Sequence, residues 1–389
     1  MKDNHYNVIV VGLGAMGSAV VYQLAKAGIK VMGIDQYNPP HVHGSTHGDT
    51  RITRLAIGEG AQYIPLVRRS HELWREIEQE SGESLLIQCG GLVMGIHNGK
   101  GRHGASDFLN ETISLAKKYK INHEELGASQ MRTGYPQFNL AGNEDGYFEA
   151  EAGYLIPEKC VEAQLKLARV YGAAIHTDEK VLSCDSRNGL AVIRTGQGTY
   201  TAEKAIISAG PWVRDFIAGY ENAFKIYRQT LYWFDIKNKS EHALYADMPV
   251  FIWEFGVGAD DFIYGFPAVD GPDGGVKIAT EDYAKTITPE QQYDVTQKEI
   301  DNMYEKYISS NLPGLSPKCV RAASCLYTVT ADHGFVIDYH PEFDNVILAS
   351  PCSGHGFKHS AAIGEVLSQL AITGKSDIDI SAFGLNRLC

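Results

Sequence analysis

The stretch NVIVVGLGAMGSAVVYQLAKAGIKVMGID, residues 7–35, decides the fold. It opens with a β-branched run typical of a buried parallel strand and continues through Gly12, Gly14 and Gly17 in the spacing GxGxxG. Apolar side chains then recur at helical spacing, and a second apolar strand ends at an acidic residue, Asp35. The order strand, glycine turn, helix, strand and terminal acid predicts a dinucleotide-binding unit in an α/β fold.

Each part of this unit has a role in binding a dinucleotide. Gly12 permits a tight turn, Gly14 lets the backbone approach a pyrophosphate, and Gly17 lets helix and strand pack closely. The helix N-terminus presents unpaired N–H groups to the phosphates. Asp35 is placed to accept hydrogen bonds from an adenosine ribose, and its charge disfavours the 2′-phosphate of NADP. The unit by itself does not separate NAD from FAD.

Composition narrows the class of protein. A chain of 389 residues predicts about two domains, and its net charge of −12 argues against nucleic acid or an anionic membrane as a partner. The sequence shows no apolar run long enough to span a membrane and no secretory leader. Its seven cysteines are scattered without a CxxC pair, which indicates neither disulfides nor a zinc site and favours the cytoplasm.

The loop after Asp35, QYNPPHVHGSTHGDTRITR, is rich in groups that can act in a site. A solvated polar loop is the ordinary interpretation of such a stretch. However, it follows the strand end where ligands bind in open α/β sheets, which makes a functional role competitive. Its histidines, His41, His43 and His47, lack a fourth ligand at suitable spacing, so we predict no metal site.

The rest of the chain predicts a discontinuous nucleotide-binding domain. Helical and strand patterns over residues 150–222 and 322–389 return to the first sheet, which also holds residues 1–85. Short aromatic strands between residues 223 and 321 are separated by Gly and Asp turns. Together with residues 86–149 they predict a β-rich, antiparallel substrate domain.

A second glycine loop points towards a flavin. The sequence NVILASPCSGHGFKHSAAIGEV predicts a strand, a loop with Gly354 and Gly356, and a helix. Backbone N–H groups and a helix dipole would again face an electron-rich ligand. An NAD enzyme has no evident need for this second site, whereas a reduced flavin carries negative charge on its ring.

The motifs GLGAMGSA, GSTHGDTRITR, YGFP, CLYTVTADHGFVID and SGHGFKHS resemble the monomeric sarcosine oxidase and N-methyltryptophan oxidase family. The resemblance runs almost end to end. It implies a glutathione-reductase-like FAD-binding domain that carries the β-rich substrate domain. It also implies oxidation of a secondary amino acid, such as sarcosine or another N-methyl or N-alkyl amino acid, to an imine. O2 is then reduced to H2O2, and water hydrolyses the imine to an aldehyde and an amino acid. Relatives of this kind are expected to be monomers.

The resemblance also implies roles for individual residues. Cys325 matches the cysteine that binds FAD covalently, and its surroundings should then lower its thiol pKa. Lys277 matches the lysine whose charge stabilises superoxide developing from O2. Arg54 and Lys358 match the pair that holds the substrate carboxylate. The other implied active-site residues are Arg51, Tyr264, Tyr327 and Glu281. The remaining implied FAD contacts are Gly12, Gly14, Ala15, Met16, Gly17, Asp35, Gln36, Ser45, Gly48, Thr50, Val181, Ala209, Gly210, Trp212, Gly354, His355, Gly356 and Phe357.

Three departures from the family pattern leave the substrate open. Thr46 replaces a histidine of GSHHGDTR, LAIGEG (residues 55–60) replaces HAYGEG, and Glu281 replaces an active-site histidine. Fructosyl amine oxidases carry an acid at the spacing of Glu281, so a fructosyl-amino acid oxidase is an alternative. A glycine or D-amino-acid oxidase, an NAD-dependent dehydrogenase and a flavoprotein without turnover are further alternatives. If strand alternation continued to Glu281, its side chain would share a face with Lys277; if the strand ended near Thr280, Glu281 would lie in a solvated turn.

Overall fold

The structure is a computed structural model that describes residues 4–96, 107–258, 260–291 and 293–388. The predicted domain ranges also include residues 1–3 and 97–106, which lie outside the described residues, as does Cys389.

The glycine-rich unit forms the centre of a mixed eight-stranded sheet. His5–Val11 pairs in parallel with Val31–Ile34 on one side and with Thr199–Ile207 on the other. This arrangement follows from the sequence, because residues 8–11 and 31–34 are fully buried and carry no charge. The other strands are Ala174–His176, Val181–Arg187, Leu190–Thr195, Val336–Tyr339 and Val346–Ser350.

Helices cover one face of this sheet. Ala15–Lys26 packs against Pro157–Val170 and Ser360–Thr373, and Ile64–Ser81 packs against Ser360–Thr373. The helices Ala15–Lys26 and Ser360–Thr373 can approach closely because residue 364 is a glycine. A Cβ added at Gly364 would lie 2.5 Å from the Cβ of Ala19. The shared core of these helices and the sheet includes Val10, Leu24, Trp74 and Ile363.

A second eight-stranded sheet forms the wall opposite the first. In spatial order its strands are Leu315–Val329, Lys225–Ile236, Val276–Ala279, Phe262–Gly265, Val250–Glu254, Gly91–Ile96, Glu144–Glu149 and Glu124–Gly127. All neighbours are antiparallel except Val250–Glu254 and Gly91–Ile96, which run in parallel. The expectation of an antiparallel sheet therefore needs this one refinement. The chain segments that connect these strands contain further helices: Phe108–Tyr119, Ala128–Gly134, His242–Ala246, Gln297–Met303, the π-helix Tyr304–Ile308 and Ser309–Asn311.

A third, small sheet joins Arg51–Thr53, Gly153–Leu155 and Leu86–Ile87. It places the active-site loop of residues 36–54 beside residues far along the chain. The sequence did not predict strands at residues 51–53 or 153–155, because three residues are too few to show alternation. Within the described residues, no helix combines the length and apolar composition needed to cross a bilayer.

Element bounds follow the predictions closely where apolar periodicity is strong. Apolar side chains at helical spacing predict helices over residues 64–79 and near residues 108–119. In the structure these helices are Ile64–Ser81, which ends at Gly82 in the left-handed conformation, and Phe108–Tyr119. The aromatic run LYWFDI predicts a strand over residues 231–236. In the structure this strand begins earlier, at Lys225, because its polar first half pairs with Leu315–Val329. The run GVKIAT predicts a strand over residues 275–280. In the structure this strand is Val276–Ala279, so Glu281 lies beyond it.

Candidate active site

One large cavity lies between the two eight-stranded sheets. About 1810 Å³ of space free of protein atoms lies within it, open solvent at its mouth included. Predicted site residues that line it are Gly12, Gly14, Ala15, Met16, Asp35, Gln36, Ser45, Thr50, Arg51, Arg54, Val181, Ala209, Gly210, Trp212, Tyr264, Lys277, Glu281, Tyr327, Gly354, His355, Gly356, Phe357 and Lys358. Tertiary folding thus brings together residues from seven separate stretches of the chain: 12–16, 35–54, 181, 209–212, 264–281, 327 and 354–358.

The glycine turn at one end of the cavity is shaped by close backbone contacts. Gly12 has φ +88°, and a Cβ there would lie 2.5 Å from the Ser208 carbonyl oxygen. A Cβ on Gly17 would lie 1.7 Å from the carbonyl oxygen of Gly12. Gly17 therefore acts in packing and does not line the cavity. Gly14, the residue before the helix Ala15–Lys26, has no side chain that could cap the helix, so a helix start without an N-cap side chain faces the cavity and suits an anion.

Asp35 lies at the end of the second strand, as predicted. Its carboxylate accepts hydrogen bonds from the backbone N–H groups of Leu13 at 2.7 Å and Tyr37 at 2.8 Å. Carboxylate oxygens have about four acceptor positions, so capacity remains for ribose hydroxyls. Thr46, one of the departures from the family, lies near the helix start, where its hydroxyl oxygen accepts a hydrogen bond from the Ala15 N–H at 3.4 Å.

Lys277 is buried on the inner face of the second sheet. Its Nζ donates to the carbonyl oxygens of Gly48 at 2.6 Å and Thr50 at 2.9 Å, and to the Thr50 hydroxyl at 3.0 Å. Burial, with the neighbouring Arg51 guanidinium, lowers the pKa of Lys277 well below its ordinary value. Three acceptors, one for each N–H of an ammonium group, favour the charged form. Gly48 therefore acts behind the cavity wall, through its carbonyl group.

Two buried cations, Arg54 and Lys358, meet on one carboxylate. Arg54 Nη2 lies 2.7 Å from one oxygen of Glu59, and Lys358 Nζ lies 3.4 Å from the other. Lys358 also donates to the carbonyl oxygen of His355 at 2.8 Å. Burial lowers the pKa of Lys358 to about 8, although Glu59 opposes that shift. The charges of Glu281 and Glu149 also act on Lys358 and on Arg54, respectively.

Tyr264 and Tyr327 form a polar pair in the same wall, with their hydroxyl oxygens 3.4 Å apart. Burial raises the pKa values of both phenols, and the charge of Glu281 adds to the shift. Although Glu281 lies beyond the strand, its side chain lines the cavity. It is therefore not a purely solvated turn residue, and strand alternation is not what directs it.

Comparison with known proteins identifies this architecture. The chain matches the FAD-dependent oxidoreductase family over residues 7–370. It belongs to that family. Its relatives include monomeric sarcosine oxidase from a Bacillus species, 38% identical over 99% of this chain and 97% of that one. N-methyl-L-tryptophan oxidase from Salmonella dublin is 32% identical over 98% of this chain and 99% of that one.

Solved structures share the fold of this oxidoreductase. NikD, described as an unusual amino acid oxidase, matches with a TM-score of 0.83 and 20% identity over 98% of this chain and 97% of that one. Amadoriase II of Aspergillus fumigatus matches with a TM-score of 0.71 and 20% identity over 98% of this chain and 88% of that one. The predicted family, fold and enzyme class, a flavin-dependent oxidoreductase, are confirmed.

The residues of the cavity fit the FAD of this oxidoreductase family. The uncapped helix start suits the pyrophosphate and the free acceptor positions of Asp35 suit the adenosine ribose. The loop of residues 354–357 is tight, because a Cβ on Gly356 would lie 1.8 Å from the Pro351 carbonyl oxygen. Its backbone can therefore come close to a flavin ring.

Cys325 differs from its expected environment. It is buried, packs in a cluster with Leu231, Trp233 and Ala279, and does not line the cavity. Burial raises its thiol pKa, while Arg51 and Lys277 act in the opposite direction. The expectation of a lowered pKa is therefore wrong for this structure, because desolvation of a thiolate outweighs two nearby cations.

Sequence reasoning missed several residues of the site. Glu59 belongs to LAIGEG, which the sequence marks only as a departure from the family pattern, yet its carboxylate holds both Arg54 and Lys358. An acid five residues after an arginine is too common to single out. The aromatic and aliphatic wall of Phe108, Ile252, Phe262 and Phe266 was also missed, because such residues look like ordinary core. Among the described residues, no cluster of three or more His, Cys, Asp or Glu could hold a metal ion.

Proposed function

We propose that this enzyme oxidises the C–N bond of a secondary amino acid, an N-methyl or N-alkyl amino acid such as sarcosine. The observation that carries the proposal is the pair of buried cations on Glu59. Arg54 and Lys358 both line the cavity and converge on one carboxylate, so the same two groups can hold the carboxylate of a substrate. The names of the sarcosine and N-methyltryptophan oxidase relatives support the same class of substrate.

The side chains of the cavity then bind and orient the substrate, and they exclude water. Arg54 and Lys358 hold the carboxylate, and the apolar wall that includes Phe108 and Phe262 keeps water from the reacting carbon. Tyr264 and Tyr327 stay protonated, because burial raises their pKa values, and act as hydrogen-bonding groups rather than as bases. When bound, FAD would supply the redox chemistry, namely the two-electron oxidation of the amine and the reduction of O2 to H2O2. Water hydrolyses the imine to an aldehyde and an amino acid.

We also propose that FAD is attached covalently through Cys325 and that Arg51 and Lys277 act beside its ring. The two cations interact electrostatically with Cys325, which supports this placement. They would also stabilise the thiolate needed for attachment. The ammonium of Lys277 would stabilise superoxide as it forms from O2. A monomer in the cytoplasm is the form in which we expect the enzyme to act.

The test is a panel of amines with H2O2 release as the signal. N-methyl amino acids should be oxidised, and their carboxamides, which lack the negative charge, should be turned over far more slowly. Acid precipitation should leave the yellow colour in the protein pellet, and Cys325→Ala should release it to the supernatant. Equal turnover of acids and amides would contradict the substrate class, whereas colour lost from the unmutated protein would contradict only the covalent bond.

Glu281 favours a second candidate, a fructosyl-amino acid oxidase. A carboxylate in the cavity repels a second substrate carboxylate and attracts a hydrogen-bond donor such as a sugar hydroxyl. We expect Glu281→His to shift the ratio of kcat/KM for sarcosine over the best donor-bearing substrate towards sarcosine by about 1–3 kcal/mol. The ratio is measured in both proteins with N-methyl and N-fructosyl amino acids. A ratio that does not move excludes Glu281 from specificity.

A further inference from the structure

Two glutamates hold the two ends of the active-site segment of residues 48–56. At the start, one oxygen of the Glu158 carboxylate accepts the backbone N–H groups of Gly48 at 2.5 Å and Asp49 at 3.2 Å. Asp49 has φ +69°, a conformation that a non-glycine residue adopts at a cost. The Glu158 carboxylate therefore offsets backbone strain at this turn.

Glu149 binds the backbone at the other end of the segment. Its two oxygens accept the backbone N–H groups of Leu55 at 2.7 Å and Ala56 at 3.1 Å. The Tyr147 hydroxyl donates to the same carboxylate at 2.7 Å. Glu149 is fully buried, so these hydrogen bonds are shielded from water.

A short strand between Glu149 and Glu158 pairs with a short strand inside the segment of residues 48–56. Gly153–Leu155 is antiparallel to Arg51–Thr53, with Arg51 opposite Leu155 and Thr53 opposite Gly153. Residues 149–158 thus contact the segment of residues 48–56 along its length, through a strand pairing in the middle and a glutamate at each end.

Each end of the segment serves a different part of the site. The Glu158 end carries the carbonyl groups of Gly48 and Thr50 that accept from Lys277. The Glu149 end follows Arg54 directly, and the charges of Glu149 and Arg54 interact. The two glutamates lie outside the lining of the cavity.

We propose that Glu158 and Glu149 are positioning residues with separate tasks. Glu158 sets the place of Lys277 for the reaction with O2, and Glu149 sets the place of Arg54 for the substrate carboxylate. This inference rests on the proposed function, in which those two cations have those roles.

The first measurement is amide hydrogen exchange on the FAD-bound protein, followed by mass spectrometry of peptides covering residues 46–58. Glu158→Ala should speed exchange at residues 48 and 49 but not at 55 and 56. Glu149→Gln should do the reverse, since an amide group cannot accept from both N–H groups and the Tyr147 hydroxyl in the same way. Exposed glutamates supply matched controls, Glu162→Ala and Glu151→Ala, which should leave both regions unchanged.

The second measurement separates the two half-reactions. Glu158→Ala should slow reoxidation of the reduced enzyme by O2 about tenfold to hundredfold, with little change in reduction by substrate or in the Kd for acetate. Glu158→Gln should recover most of the lost rate, because its carbonyl oxygen can still accept both N–H groups. Glu149→Gln should weaken acetate about tenfold and leave reoxidation near that of the wild type. If Glu149→Gln does not fold, Tyr147→Phe should weaken acetate in the same direction.

The wild-type protein and Lys277→Met serve as references that separate failure of the proposed function from failure of this inference. If wild-type protein does not oxidise amines, or if Lys277→Met reacts with O2 as wild type does, the proposed function fails. If both behave as proposed but Glu158→Ala and Glu149→Gln change both half-reactions alike, the separate tasks are wrong. Glu158→Gln as slow as Glu158→Ala would also overturn the inference, because the charge and not the hydrogen bonds would then matter.

Discussion

At the scale of single residues, the site holds its buried cations in two different ways. Lys277 has neutral acceptors only, two carbonyl groups and one hydroxyl. Lys358 and Arg54 instead share the carboxylate of Glu59. A cation whose hydrogen-bond acceptors are all neutral can stabilise a new anion, whereas two cations that converge on one carboxylate suit the carboxylate of a substrate. The two arrangements match the two roles proposed for them.

Carboxylate binding should depend on pH through Lys358. Its pKa in the free protein is about 8, lower than that of an ordinary lysine. Below pH 8 the ammonium is present, so the Kd for acetate should be constant. Above pH 8 a proton must be taken up with the ligand, and the affinity should fall by up to about tenfold per pH unit. Isothermal calorimetry of acetate measures this, and Lys358→Met, which should bind weakly at every pH, is the control. A wild-type Kd that is flat to pH 10 would exclude Lys358.

At the scale of elements, the glycine turn is a packing device as well as a binding device. Gly12 and Gly17 bring the helix Ala15–Lys26 against its strand, since a side chain on Gly17 would overlap the Gly12 carbonyl group. The helix start therefore lies at the cavity because of its close packing with the strand.

Gly17→Ala should damage both the packing and FAD binding. The added methyl group has no room and forces the helix away from the strand, at a cost of about 1–3 kcal/mol in the free energy of unfolding. Gly196→Ala is the matched control, because a Cβ there meets nothing within 4 Å. Urea unfolding and the ratio of flavin to protein absorbance check both effects. Equal stability of the two variants would show that the turn relaxes freely.

At the scale of the molecule, the cavity exists only because two sheets face each other. We propose that residues 1–85, 150–222 and 322–389 form the FAD-binding domain, and that residues 86–149 and 223–321 form the substrate domain. The strand Leu315–Val329 crosses the boundary at residues 321 and 322, so Cys325 lies on a strand of the second sheet. A covalent bond at Cys325 would thus tie FAD to both halves of the molecule.

FAD should therefore stabilise the whole fold. In Cys325→Ala, where the cofactor is free to dissociate, FAD at about a hundred times its Kd should add about 2.7 kcal/mol to the free energy of unfolding. The melting temperature should rise with FAD concentration in this variant and should not respond to added FAD in the wild type. FMN, which lacks the adenosine half, is the control and should stabilise less. Melting that does not change with FAD in the variant would mean that the cavity does not hold it.

The sequence by itself determined the nucleotide-binding unit, the second glycine loop and most of the helices whose apolar periodicity is strong. These features depend on local chemistry: glycine spacing, β-branched runs and apolar stripes are written within about 30 residues. Resemblance to a family with motifs along the whole chain added the enzyme class and the residues that line the cavity. The roles of those residues remain predictions.

Only the tertiary structure decided how distant residues act on one another. The shared carboxylate of Glu59, the orientation of Glu281 beyond its strand and the hold of Glu149 and Glu158 on residues 48–56 are contacts between separate segments. The raised thiol pKa of Cys325 likewise depends on burial by other strands. The physical reason is the same in each case. Desolvation and hydrogen bonding are set by which groups surround a side chain, and no local pattern of residues records those neighbours.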